Sequence, residues 1–470
     1  MMGTLSQDDL LMSQLDAVLA RLDQNRDAAL ARLFDFLKIQ SISTDPAFAG
    51  ECRKAADWVK AELAGIGIQA EVQDTGGHPA VTARVEGSSK RHALFYGHYD
   101  VQPVDPLNLW DTPPFEPVIT TLPDGRKVIR ARGSADDKGQ IMTFIEACRA
   151  YKEVVGSLPI GVTFLIEGEE EDGSKHLPAF VEAQKAALKA DVALVCDTSM
   201  WDGNTPQITS SLRGMVYEEL TIKAADRDLH SGLFGGGAQN PIRVLTKILA
   251  DLHDADGRVT LKDFYEGVPE TPSQVLAQWD TLGLTAEEFL GGVGLSEPAG
   301  EKGRRLIEMI QSRPTCDVNG IIGGYTGVGA KTVIAAEASA KVSFRLVGDQ
   351  SPSKIVEAFH AHVRARLPKD CTVEFISHKG SPALALPFDM PDLVAAKAAL
   401  QDEWGVAPVT LGSGGSIPIV GDFKRILGLD TLLIGFGLDD DRIHSPNEKY
   451  DLTSFEKGAR SWARILAALA

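Results

Sequence analysis

The sequence predicts an α/β protein: a mostly parallel sheet with helices on both faces, interrupted by a smaller inserted α+β domain. Three observations lead there. Runs such as Ala93–Gly97, Val162–Ile166 and Val192–Cys196 are apolar almost throughout, the pattern of strands buried on both faces. Between them lie segments whose apolar residues recur at three and four, the helical period. Near residue 210 the character changes, and Met215–Ala224 alternates like a strand with one solvated face. The predicted division is residues 1–209 and 384–470 for the outer domain and 210–383 for the insertion.

Taken in order, helical spacing runs from Leu11 to Leu37 and again from Arg53 to Leu63, before a stop at Gly65. Short strands follow at Gln69–Val72 and Ala80–Val85, then Ala93–Gly97. The Pro-rich stretch NLWDTPPFEP and its PDG turn read as a loop with a hairpin between Asp105 and Arg130. RARGSADDKGQ feeds a turn into a helix, and another helix is expected over Pro178–Leu188. In the insertion, Pro241 opens a helix to about His253, Thr332–Val347 and Val373–Ser377 are strands, and Pro352–Arg366 is a helix with Ser351 as its cap. The strand Leu432–Phe436 and an amphipathic helix over Leu452–Leu469 close the chain. The glycine-rich Gly235–Gly237 and Gly323–Gly329 lack a P-loop lysine and read as turns.

Composition excludes several classes of function. With 47 Lys+Arg against 65 Asp+Glu the formal charge is −18, and no basic block interrupts it, so nucleic acid and anionic membranes are poor partners. No run approaches the ~18 apolar residues of a membrane span. The N-terminus carries acids where an export signal carries bases, and reads as an amphipathic helix. The five cysteines form no CxxC pair and leave one over, which fits a reducing, cytoplasmic setting.

The chemistry is expected where apolar runs end, because ligands of open α/β sheets sit at the carboxyl ends of the strands. LFYGHYD ends in His98 and Asp100, two residues apart and so on one face of a strand, where a carboxylate can fix the imidazole's second nitrogen. The turn into a helix supplies Asp136 and Asp137. LIEGEEEDGS supplies Glu169, Glu170 and Glu171; ALVCD supplies Asp197; LLIGFGLDDDRIHSPNE supplies His444. Singly, each is an ordinary helix cap or solvated turn. Gathered on one edge, carboxylates ~4 Å apart repel by about 4 kcal/mol at an effective dielectric of ~20, and cations would have to balance them. Oxygen and nitrogen donors without a thiolate suit Zn²⁺ or Mn²⁺, and two divalent ions sharing a water are a hydrolytic arrangement.

The blocks FYGHYDVQP, RGSADDKGQ, LIEGEEEDGS, CDTSMW, RDLHSG, KTVI, SFRLV, GGSIP and HSPNEK, in that order, closely resemble the dinuclear metallopeptidase family of carnosinases, carboxypeptidase G and succinyl-diaminopimelate desuccinylase. Several blocks are closest to its carnosinase-like cytosolic dipeptidase branch. The resemblance implies a zinc-exopeptidase-like catalytic domain, an inserted lid and dimerisation domain, and a dipeptidase acting on short peptides. It implies two Zn²⁺ or Mn²⁺ ions per subunit: a bridging Asp136, one ion completed by His98 and Asp197, the other by Glu171 and His444. Glu170 matches the general acid/base and Asp100 the carboxylate behind His98, with a cis peptide expected between Asp136 and Asp137. Arg345 matches a clamp for the substrate carboxylate, and Thr332 and Ser416 match hydrogen-bonding groups at the substrate end. His230 matches a residue that enters the neighbouring subunit's site in a homodimer and stabilises the oxyanion. The alternative on the same metal core is an N-acyl-amino-acid amidohydrolase of the deacylase or desuccinylase type.

Overall fold

A computed structural model describes residues 7–413 and 418–470. The chain divides into two compact units: one takes in the chain up to Ser210, Leu386–Leu411 and the C-terminal stretch ending at Ala470, and the other takes in Ser211–Ala385.

In the first unit the strands lie in the order Ala70–Gln73, Ala80–Val85, Gly161–Glu167, His92–His98, Val192–Val195, Thr431–Leu433 and Gln207–Leu212. The four strands from Gly161–Glu167 to Thr431–Leu433 are mutually parallel, as the continuous apolar runs predict. The flanking pairings are antiparallel. The flanks are where the apolar runs give way to alternation, as in AVTARV, which pairs antiparallel with Gly161–Glu167.

The His92–His98 strand shows why both faces must be covered. Successive side chains point to opposite faces. Phe95 stacks on Phe144 of the Lys138–Val154 helix, ring centroids 3.7 Å apart, and Trp462 of the Leu452–Ala468 helix meets both rings edge-on. On the opposite face Tyr96 meets Phe423 edge-on at 5.7 Å. The Lys138–Val154 helix is buried from Lys138 to Tyr151, which explains why its sequence is apolar beyond a single stripe.

Several predicted elements are divided or shortened. The long N-terminal helix breaks at Asn25 into Gln7–Gln24 and Arg26–Leu37. The helix expected over Pro178–Leu188 spans Leu177–Ala183. Ser351 occupies the N-cap position of Pro352–Ala365, but its side chain caps no backbone N–H and instead lies 3.0 Å from the Ser353 hydroxyl.

The second unit is built on a four-stranded antiparallel sheet, ordered Thr315–Gly323, Glu337–Leu346, Gly214–Lys223 and Thr372–Ser377. Its core side packs Val216, Leu220 and Phe344 with Leu245, Ile248 and Phe359 from two helices. The expected strand Thr332–Val347 is interrupted, and its Val333–Ile334 part pairs with Leu229–His230 in a separate ribbon.

Candidate metal centre

The parallel register brings the predicted strand ends together. His98 is the last residue of its strand and stands opposite Glu167, so the turn after Glu167, carrying Glu170 and Glu171, emerges beside it. On the other side Tyr96 pairs with Val195, and Asp197 follows two residues later. Asp136 lies at the start of the Lys138–Val154 helix, and its peptide bond to Asp137 is cis. Gly97 is dictated by close approach: a Cβ there would fall 2.7 Å from Asp137 Oδ2 and 2.8 Å from Ile141 Cγ1.

Two donor groups result, each with ligand atoms within 4.8 Å of one another: His98, Asp136 and Asp197, and Asp136, Glu171 and His444. His98 Nε2 lies 3.0 Å from Asp136 Oδ1 and 3.9 Å from Asp197 Oδ2. His444 Nε2 lies 2.9 Å from Asp136 Oδ2 and 3.2 Å from Glu171 Oε2. The two oxygens of one aspartate thus face two different imidazoles.

Asp100 organises the rest. One oxygen lies 3.3 Å from His98 Nδ1, and the two accept the backbone N–H groups of Glu170 and Glu171 at 3.2 and 3.0 Å. The carboxylate behind the imidazole therefore also holds the glutamate turn. Gln102 was not singled out in the sequence, although it lies in the FYGHYDVQP block; its amide donates to Glu171 Oε2 at 2.7 Å.

The electrostatics follow from crowded acids. Burial pushes the Asp197 carboxyl well up, helped by the charge of Asp136. Burial also acts to raise Asp136, but hydrogen bonds from His444 and His98 hold it below the usual carboxylate range. Hydrogen bonds to Asp136 and Glu171 push His444 up to about 10. For His98, burial acts downward and is outweighed by Asp100 and Asp136, so its affinity for a proton rises. A field that raises two imidazoles is one that draws in divalent cations. The residues fit such ions in two further respects. His98 Nε2 is buried without an aligned hydrogen-bond partner among the described residues, and no thiolate belongs to either group. The buried Cys196 thiol faces Asp137 instead, at 3.3 Å.

His230, Thr332 and Arg345 lie in the second unit. His230 and Thr332 are neighbours: His230 pairs with Val333, and the Ser231 N–H donates to Thr332 O at 3.1 Å. His230 is exposed, and its Nδ1 accepts the Gly232 N–H at 3.0 Å. Arg345 stands on the Glu337–Leu346 strand, between Thr315 and Met215. Ser416 lies outside the described residues.

Residues 94–468 match the model of Peptidase family M20/M25/M40. The chain is 31% identical over 473 residues to the Cys-Gly metallodipeptidase dug1 of Schizosaccharomyces pombe, covering 97% of this chain and 98% of the relative. It is 28% identical to the human Beta-Ala-His dipeptidase, covering 97% and 93%. Among solved structures it superposes on an M20 family metallo-carboxypeptidase from Sulfolobus solfataricus with a TM-score of 0.76 at 30% identity, covering 94% of this chain and 99% of that one. A catalytic fold with a rim of paired imidazoles and carboxylates, matched along nearly its whole length, places the chain in peptidase family M20/M25/M40, as a metal-dependent hydrolase.

Proposed function

We propose that the protein is a dipeptidase that uses two Zn²⁺ or Mn²⁺ ions, held by His98, Asp136 and Asp197 and by Asp136, Glu171 and His444. The observation that carries this reading is the single carboxylate of Asp136 facing His98 with one oxygen and His444 with the other. When bound, such ions polarise a carbonyl and make a water acidic enough to attack near neutral pH. Glu170 takes the proton from the attacking water and returns it to the leaving amine. Burial supports that role, since it raises the carboxyl's affinity for a proton even though the charge of nearby His98 opposes it. Asp100 keeps His98 oriented and the glutamate turn in place. Arg345 anchors the substrate carboxylate, for which a guanidinium is well shaped. Thr332 and Ser416 donate to the same end of the peptide.

The dipeptidase relatives at 31% and 28% identity favour free dipeptides over N-acyl amino acids. A panel of both, run on metal-stripped protein restored with Zn²⁺ and then with Mn²⁺, tests this. Turnover confined to N-acyl amino acids would replace the dipeptidase reading with the amidohydrolase one. The same reading makes the protein a cytoplasmic homodimer, with His230 acting in the neighbouring subunit's site. Mixed Glu170→Ala and His230→Ala subunits then recover activity that neither variant has alone, and no recovery after verified subunit exchange would reject the shared site.

A further inference from the structure

Glu448 lies four residues past His444, in the HSPNEK block. It is completely buried, and its carboxylate is spent on one turn. Oε1 accepts the backbone N–H groups of Ala135 and Asp136 at 2.9 and 3.2 Å. Oε2 accepts the Gly133 N–H at 2.9 Å and Arg132 Nη1 at 2.8 Å. An ionised carboxylate has about four acceptor sites, and here four donors from residues 132–136 fill them. Arg132 is anchored in turn, donating to Pro103 O at 3.0 Å with its guanidinium over the Trp110 ring.

The segment on the other side of Glu448 is under backbone strain. Arg442, His444 and Asn447 all have left-handed φ, at 56°, 58° and 67°. For residues other than glycine this costs of order 1 kcal/mol or more each and persists only where the surroundings enforce it. Asn447 is clamped by the Asp111 N–H at 2.7 Å and by Leu109 O at 2.8 Å. Lys449 donates to Asp441 at 2.6 Å, and Asp441 accepts the Leu438 N–H at 2.7 Å. These contacts hold the loop's shape, while Glu448 ties the loop to the turn that bears Asp136. The two donor groups share Asp136 and the turn that bears it, and they differ in their other ligands. His98 and Asp197 extend from directly paired strands, whereas His444 stands on the strained loop that Glu448 ties to that turn.

We propose that Glu448 is a positioning residue that sets the 2.9 Å separation of Asp136 Oδ2 from His444 Nε2, and so the affinity of the Asp136–Glu171–His444 group for its ion. The inference rests on reading these residues as ligands of two ions.

Glu448→Gln keeps the volume but turns an NH₂ group against backbone N–H donors. Calorimetric titration of metal-stripped protein with Mn²⁺ gives the readout. The wild type is expected to take up two ions, and E448Q to weaken one binding step at least tenfold while the other stays within threefold. In a His444→Ala background, which keeps the other group, E448Q should leave the remaining step within threefold. Both steps within threefold of wild type in E448Q, or both weakened equally, overturns the proposal while leaving the two-ion reading intact. Fewer than two ions in the wild type overturns that reading, and the proposal with it. If E448Q does not fold, Glu448→Asp carries the same test, since it keeps the charge opposite Arg132 but withdraws the carboxylate by one methylene. Failure of both variants to fold would assign Glu448 to the stability of the unit and overturn the proposal.

Discussion

The backbone N–H of Glu171 donates to Asp100 Oδ2 at 3.0 Å, while the other oxygen of Asp100 lies 3.3 Å from His98 Nδ1. One carboxylate thus locks an imidazole on one strand end to the glutamate turn on the next. Asp100→Ala is expected to lower metal affinity or activity by about 10- to 100-fold, the usual cost of removing such an outer partner. Metal titration beside steady-state kinetics checks it, and an unchanged metal affinity with full activity would contradict the role.

Glu170→Gln should behave differently. The side chain belongs to neither donor group, so metal content stays at the wild-type level while kcat falls by about 10²- to 10⁴-fold, the range for losing a general acid/base. Metal analysis and turnover on one purified sample separate this outcome from a binding defect.

Chelation should destabilise the fold. Ions that bind the folded site and not the unfolded chain contribute about 2.7 kcal/mol each at a free concentration of about 100 Kd. Stripped protein should therefore melt at a lower temperature and recover on addition of Zn²⁺ or Mn²⁺. In His98→Ala with His444→Ala the added ion should no longer shift the melting temperature.

A pH effect is expected far from the metal centre, at His92, the first residue of the strand that ends in His98. Arg84 Nη2, which can only donate, lies 3.3 Å from His92 Nδ1, so that nitrogen accepts and the Nε2–H points to Thr163 Oγ1 at 2.8 Å. Burial, and then the Arg84 charge, lower the imidazole's pKa below its ordinary 6.5. The unfolded chain therefore binds more protons than the native state below that value, and stability is lost as pH falls through about 6.5 and beneath. Urea unfolding at pH 7.5 and pH 5 should show a smaller acid loss in His92→Gln than in the wild type. An identical loss in both would exclude His92 as a source.

Much of the architecture is legible in the chain because secondary structure answers to near neighbours. Phe95 and Tyr96 declare a strand buried on both faces, and the Asp136–Asp137 pair declares the mouth of a helix. Elements shift where a neighbour in space overrules the local pattern. Val333–Ile334 leaves its run to pair with Leu229–His230. Gln102 and Glu448 lie inside FYGHYDVQP and HSPNEK, yet nothing local marks an amide that reaches Glu171 or a glutamate that gathers the N–H groups of a distant turn.

The sequence by itself determined which residue types end each apolar run, and so the chemistry on offer: imidazoles and carboxylates, with no thiolate among them. Only the tertiary structure decided that positions as far apart as 98 and 444 meet around one aspartate. Side-chain identity and period are properties of a short stretch of chain. The distance between two ligands depends on strand register and loop conformation, which many remote contacts fix together.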